Sequence, residues 1–321
     1  MLERVRADGL LAEGRPVVVL LSGGRDSTCL LDLAVRIAGP AFVGALHVNY
    51  GLRDAAQLDE GHCASLCDRL GVPLEIRCPR RPESGNLQAW ARDQRYGAAA
   101  KLATSRGADV AAGHTATDQV ETILYRLASS PSRRALLGMR PRDGVLIRPL
   151  LAFTREQTAS YCRERGLSWV EDETNSSDAY ARGRVRGRLV PALEAVHPGA
   201  VDNVLSLAAV LRDEGAVLDA LVDEALGGRA EIELSELRAL PAALQRLVVQ
   251  RLADGAADGP AAGVAPRTGE VSALPERGSA MLDLPSGVRA VAQDGVLCFE
   301  RTPELSEARI AKQKARVPRA P

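Results

Sequence analysis

The run Ser22-Gly23-Gly24-Arg25-Asp26-Ser27 places two adjacent glycines and a carboxylate between two hydroxyl side chains. Glycines let a backbone come close to a ligand, and N–H groups at a helix start point at whatever anion lies there. Such a loop can cradle a phosphate chain without a lysine. The bland reading is an ordinary glycine turn capped by a serine or aspartate, and Gly-Gly alone does not separate the two. The lysine-dependent loop GxxxxGK is excluded, because the only lysines are Lys101, Lys312 and Lys314 and none stands near a glycine turn. No GxGxxG follows the first strand.

His114 and Asp118 are the next candidates. Four residues apart, they share a side if the turn between them is helical. A histidine at a strand end can be satisfied by backbone, yet in this loop a proton-handling role is preferred. Arg92 and Arg95 stand on a helical stretch with Trp90 and Tyr96. A solvated face would account for them, and Arg92 is read as a phosphate or adenylate contact. Arg182, Arg184, Arg186 and Arg188 put four cations in seven residues with no acid between, a density that suits an RNA backbone. Their period of two does not make one helical stripe, and Glu171, Asp172, Glu173 and Asp178 lie near enough in sequence to balance some of them. His47 falls inside a strand and reads as structural, while His62 and His197 carry no signal.

These segments follow a known order. SGGxDS, complete at residues 22–27, is the signature of PP-loop ATP pyrophosphatases, which cleave ATP between the α- and β-phosphates. His47-Val48-Asn49-Tyr50-Gly51-Leu52-Arg53 is similar to HxxHGLR, Ala91-Arg92-Asp93-Gln94-Arg95-Tyr96 matches ARxxRY, and residues 113–122 are similar to AHxxxDQxET. Glu171-Asp172-Glu173-Thr174-Asn175, then Arg182-Gly183-Arg184-Val185-Arg186, is similar to EDxSN…RNxxR. Taken together, residues 17–193 resemble the tRNA(Ile)-lysidine synthases. Tyr50, Gln88, Gly183 and the run at 129–134 depart from the family's usual residues.

The resemblance implies that Ser22, Gly23, Gly24 and Ser27 cradle pyrophosphate, with Arg25 at the variable position and Asp26 helping to hold Mg²⁺. It implies a reaction in which the C2 oxygen of the wobble cytidine of an isoleucine tRNA with a CAU anticodon attacks the α-phosphate of ATP. Pyrophosphate leaves, and the ε-amine of free L-lysine then displaces AMP. Asp26 and Asp118 are the candidate metal or lysine-side carboxylates, and Asp118 or His114 the group that helps lysine lose its proton, since its amine has a pKa of about 10.4. Two rivals stand beside this reading. A tRNA thiolase shares SGGxDS but needs catalytic cysteines, and no CxxC follows the loop. A non-catalytic tRNA- or nucleotide-binding module is opposed by the presence of Asp26, His114 and Asp118.

The elements that must position these residues alternate. Val17-Val18-Val19-Leu20-Leu21 reads as a buried strand, and the next stretch as a helix with Asp26 as cap and Cys29, Leu30, Leu33 and Ile37 as its apolar stripe. Strands are expected at 42–48, 74–77 and 109–112, and helices at 55–70, 86–105 and 117–127. That spacing predicts an α/β fold, a parallel sheet with helices on both faces, whose ligands bind at the carboxyl ends of strands. Beyond 193 a smaller, mainly helical domain is expected, with helices at 200–226 and 234–252, a flexible linker at 254–269, and a terminal β element at 281–299. The division is thus 1–193 for ATP binding and catalysis, 194–301 for tRNA positioning by family likeness, and 302–321 as a frayed basic tail.

Lys+Arg and Asp+Glu both number 41, so no overall field draws the chain to a polyanion and any such contact must be local. The six scattered cysteines do not form paired CxxC motifs, which argues against zinc or iron–sulfur and for free thiols in a reducing cytoplasm. No segment has the ~20 apolar residues a membrane span requires. ATP and Mg²⁺ are the expected cofactors, tRNA(Ile) and lysine the substrates; a homodimer is compatible with the sequence.

Overall fold

The structure is a computed structural model and describes residues 1–51, 56–129, 133–171 and 181–303. The chain divides into two compact units, Met1–Leu211 and Arg212–Pro321.

In the first unit α1(Leu2–Ala7) leads into β1(Val17–Leu20), four apolar residues buried on both faces, as a central parallel strand requires. There follow α2(Arg25–Ala38), β2(Val43–Val48), α3(Ala56–Leu70), β3(Leu74–Arg77), α4(Leu87–Arg106), β4(Asp109–Ala111) and α5(Ala116–Ser129). Next come α6(Arg133–Leu136), two two-residue strands, β5(Arg142–Asp143) and β6(Leu146–Ile147), and α7(Arg155–Glu164). Then α8(Ala181–Arg184) runs through a π-helical turn at Val185–Leu189 into α9(Val190–Val196), and α10(Ala200–Leu226) follows.

The sheet order is β3-β2-β1-β4-β6-β5, parallel except for the β5–β6 pair. Val17 pairs with Val43 on one side and Asp109 on the other, so β1 is central. Strand order reverses between β1 and β4, which opens a crevice at their carboxyl ends. The expected α/β fold is what the chain adopts. Its largest core cluster packs Leu30, Leu33 and Ile37 of α2 under β1. Val201, Val204 and Leu205 pack with Val120, Leu124 and Val185, carrying the unit past the expected boundary at 193.

The second unit contains β7(Glu231–Glu233), α11(Leu234–Ala239), α12(Ala242–Ala257), α13(Thr268–Ser272), β8(Ser279–Leu284), β9(Val288–Gln293) and β10(Val296–Arg301). Its antiparallel sheet runs β7-β10-β9-β8 over a core of Leu234, Leu237, Val248, Val249 and Leu297. The β9–β10 turn, Asp294-Gly295, has φ of 47° and 92°, the positive values a tight two-residue hairpin needs.

Two expectations are corrected. The single helix at 234–252 is two, because Pro241 has no N–H to continue the first. The linker at 254–269 is packed structure: α12 extends into it, Ala261 and Val264 are buried, and Gln250 Nε2 donates to Asp254 Oδ1 at 2.7 Å and the Ala261 carbonyl at 2.8 Å. Among the described residues no helix is long and apolar enough to cross a membrane. Leu52, Arg53, the middle of the 129–134 run, Asp172 to Asn175, Asp178 and the tail from 304 lie outside the described residues.

Candidate active site

The glycine loop leaves β1 where Leu21 N still donates to the Leu46 carbonyl at 2.9 Å. Gly23 then turns with φ of 81°, and a Cβ there would stand 3.2 Å from Cys63 Sγ, so conformation and space both call for glycine. Ser27 folds back: its hydroxyl donates to the Gly24 carbonyl at 2.8 Å and accepts from Ser22 N at 3.2 Å. Val170 N donates to the Gly23 carbonyl at 2.9 Å, pinning the loop from outside. Helix α2 begins with Gly24 as its N-cap and no side-chain cap bond. The expected cap, Asp26, instead lies in the first turn. First-turn amides have no partner within the helix, so without a side-chain cap they remain available to an anion.

The end of β4 comes unusually close. A Cβ on Gly113 would lie 3.1 Å from the Asp26 carbonyl carbon and oxygen and from Ser27 N. This contact brings the carboxylates of Asp26 and Asp118 to one place. Asp26 Oδ1 accepts from Thr158 Oγ1 at 2.5 Å and lies 3.4 Å from Arg25 Nε, while Oδ2 lies 3.8 Å from Arg155 Nε. Burial raises its pKa, and Asp118 adds to the rise, against the lowering effect of Thr158, Arg25 and Arg155. Asp118 Oδ2 accepts from Thr115 N at 2.9 Å and Thr115 Oγ1 at 2.8 Å, and Oδ1 accepts from Arg155 Nη2 at 2.5 Å. Burial pushes Asp118 up, but Arg155, the Thr115 donors and His114 together hold it below the usual carboxylate value.

Arg155 is the hub. Besides both aspartates it reaches Glu121 Oε1 at 3.2 Å, and Glu121 in turn accepts from Arg186 Nε at 2.7 Å and Nη2 at 3.0 Å. Sequence reasoning missed Arg155, Thr158 and the role of Glu121. Helix α7, which carries the first two, announces itself only through Thr154 and Gln157, a capping box.

His114 precedes α5 rather than sitting on it, so its relation to Asp118 is not the one-face pairing of a helical turn. Burial lowers its pKa to about 4; Asp118 opposes this, while Arg148, Arg95 and Arg92 reinforce it. At neutral pH the imidazole is therefore uncharged. Arg92 is exposed, its guanidinium carbon 4.9 Å from the centre of the Tyr96 ring. Tyr50 donates to the Ala91 carbonyl at 3.0 Å and packs edge-on against Trp90. His47 Nδ1 lies 2.9 Å from the Leu21 carbonyl, bracing the strand just before the loop.

The four arginines near 185 separate. Arg186 turns inward to Glu121, whereas Arg184 and Arg188 line an apolar groove with Tyr125 and Leu189, and Arg182 is exposed. The π-helical turn breaks the regular spacing between them.

Among the described residues there is no cluster of three or more His, Cys, Asp or Glu able to hold a metal ion. Magnesium on a nucleotide needs less: one or two carboxylates, with phosphates and water completing the shell. Asp26 fits this, since Oδ2 has only a 3.8 Å ion pair. Both oxygens of Asp118 are already engaged by donors.

A switch-point crevice, an uncapped glycine turn and paired carboxylates define a PP-loop protein, and residues 2–193 match the PP-loop domain family. The matched family is an ATP-binding one. A tRNA(Ile)-lysidine synthase of Symbiobacterium thermophilum is 36% identical over 341 residues, covering 95% of this chain and 70% of that protein. One from Thermus thermophilus is 35% identical over 249 residues, covering 76% of this chain and 48% of the relative. The chain belongs to the tRNA(Ile)-lysidine synthase family, spanning 70% of one relative and about half of another. A tRNA thiolase of Methanococcus maripaludis shares the fold alone, with a TM-score of 0.54 at 17% identity over 66% of this chain and 77% of that one.

Proposed function

We propose that this chain is an ATP-dependent ligase that adenylates the wobble cytidine of an isoleucine tRNA with a CAU anticodon and replaces AMP with lysine. The observation that carries the reading is the uncapped turn at residues 22–27 set beside Asp26 and Asp118 in the switch-point crevice. Its amides stabilise charge developing on the departing pyrophosphate, and Ser22 and Ser27 fix the turn that aims them. Asp26 would hold Mg²⁺, which when bound neutralises phosphate charge. Asp118, kept anionic by Arg155 and Thr115, suits holding an incoming ammonium better than accepting its proton. His114, neutral, half-buried and within the influence of Asp118 and three arginines, would offer a hydrogen bond to the target base. The second unit is assigned to tRNA positioning.

The test is transfer of labelled lysine to tRNA(Ile) together with pyrophosphate release. Both are expected to require ATP, Mg²⁺ and the matching tRNA, and both to disappear in Asp26→Ala. Pyrophosphate release unchanged by that substitution would remove the mechanism, and tRNA left unlabelled by the wild type would remove the ligase reading.

A further inference from the structure

Away from the glycine loop, Arg92, Arg95 and Arg148 act on His114, and Arg126 feels Arg92 and Arg148, while exposed Asp143 is the one acid paired with any of the four among the described residues. Arg92 and Arg95 lie 4.9 and 5.1 Å from the centre of the Tyr96 ring. Arg148 is buried, its side chain only 6% exposed; Nη1 donates to the Arg140 carbonyl at 2.7 Å and Nη2 stands 4.0 Å from the solvent-exposed Asp143. Arg126 Nη1 donates to the Gly138 carbonyl at 2.7 Å, in the same short segment. Gln119 holds that segment in place through both the N–H and the carbonyl of Met139. Among the described residues no carboxylate pairs with Arg92, Arg95 or Arg126.

The cluster also holds unsatisfied polar atoms. Arg95 Nε, Arg148 Nε, the Tyr96 hydroxyl and His114 Nδ1 are all buried without a hydrogen-bond partner. A buried donor left unmade and like charges held together both cost free energy, and a bound ion, water or ligand is what offsets such a cost. An anion with several acceptor oxygens does both at once, and arginine forks match phosphate best. The groups also feel one another: burial first, then Arg182, Arg92 and Arg148, lowers the Arg126 pKa, and burial with Arg92 lowers that of Arg148.

We propose that Arg92, Arg95, Arg126 and Arg148 form a second phosphate site, which grips the RNA backbone beside the nucleotide to be modified. This rests on the tRNA-ligase reading and deepens it. The glycine loop already serves the nucleotide triphosphate, so the remaining phosphate-bearing substrate is the RNA. His114 is influenced by Asp118 as well as by Arg148, Arg95 and Arg92. A phosphate held at the arginines would thus lie within electrostatic reach of His114, which Asp118 also influences.

The test measures binding of the tRNA(Ile) anticodon stem-loop and of ATP to the full chain, with Arg126→Gln and Arg95→Gln as variants that spare buried Arg148. RNA affinity is expected to fall about tenfold in each, and the slope of log Kd against log salt to drop by about 0.7 per lost contact, with ATP affinity held within about twofold. Arg126→Lys should recover part of the RNA affinity. Loss of ATP binding with RNA binding intact would assign the cluster to the nucleotide and overturn the proposal, as would RNA affinity and salt slope both unchanged. A wild-type chain that binds no RNA would sink the ligase reading and this proposal with it, whereas unaffected variants of an RNA-binding wild type sink the proposal alone.

Discussion

Replacing His114 by glutamine should change how stability depends on pH. In the folded chain burial holds this imidazole at about 4, against an ordinary 6.5. Between those values the unfolded chain takes up a proton that the native chain does not, so native stability is lost as pH falls through that window. At about pH 5 the difference amounts to about 2 kcal/mol relative to about pH 8, from 1.36 kcal/mol per unit. His114 keeps some access to solvent, which screens part of the effect, so about 1 kcal/mol is the expected loss. Urea denaturation of both proteins at the two pH values isolates it, since every other titrating group is common to both. Wild type should lose about 1 kcal/mol more than His114→Gln on acidification. Equal losses, or a larger one in the variant, would refute the neutral buried imidazole.

Arg155→Met leaves Asp26 and Asp118 facing each other without their shared cation. Breaking such a partly buried pair costs about 2–3 kcal/mol, reduced here because Thr115 still holds Asp118 and Arg186 still holds Glu121. Chemical denaturation reads the loss, and Arg155→Lys should restore a portion. The depressed Asp118 pKa contributes stability that is present above its ordinary 3.8 and lost as pH falls through the depressed value, and the Met variant should show less of that acid sensitivity. Gly113→Ala forces a methyl against three backbone atoms at 3.1 Å and should cost about 1–3 kcal/mol while weakening ATP binding by calorimetry. Gly97→Ala, in a helix with open space, should instead stabilise by about 0.5–1 kcal/mol and leave ATP binding alone.

The parts of the fold legible in the sequence are those where hydrophobic pattern and turn chemistry agree. Val17 to Leu20 could be read as a buried strand because three valines and two leucines form one apolar run that ends at Ser22-Gly23-Gly24, and α2 because its stripe stops at Gly39-Pro40. Strands β5 and β6, two residues each, are too short to show a period, so the edge of the sheet beyond β4 was invisible. The site was legible where it depends on local order, as in the glycine loop. It was not legible where it depends on distant partners: nothing around Arg155 or Thr158 betrays that they meet Asp26, 129 and 132 positions earlier, because that meeting is made by helix packing. The segment at 254–269 was misread because small residues serve a linker and a tight packing contact equally well.

Helix α7 has a consequence for synthesis. Every strand of the nucleotide-binding sheet and the whole glycine loop emerge from the ribosome before Arg155 and Thr158 do. A nascent chain ending short of them has the cradle but lacks the cation shared by Asp26 and Asp118 and the hydroxyl that donates to Asp26. The order of translation thus delays competence until the last brace has been delivered.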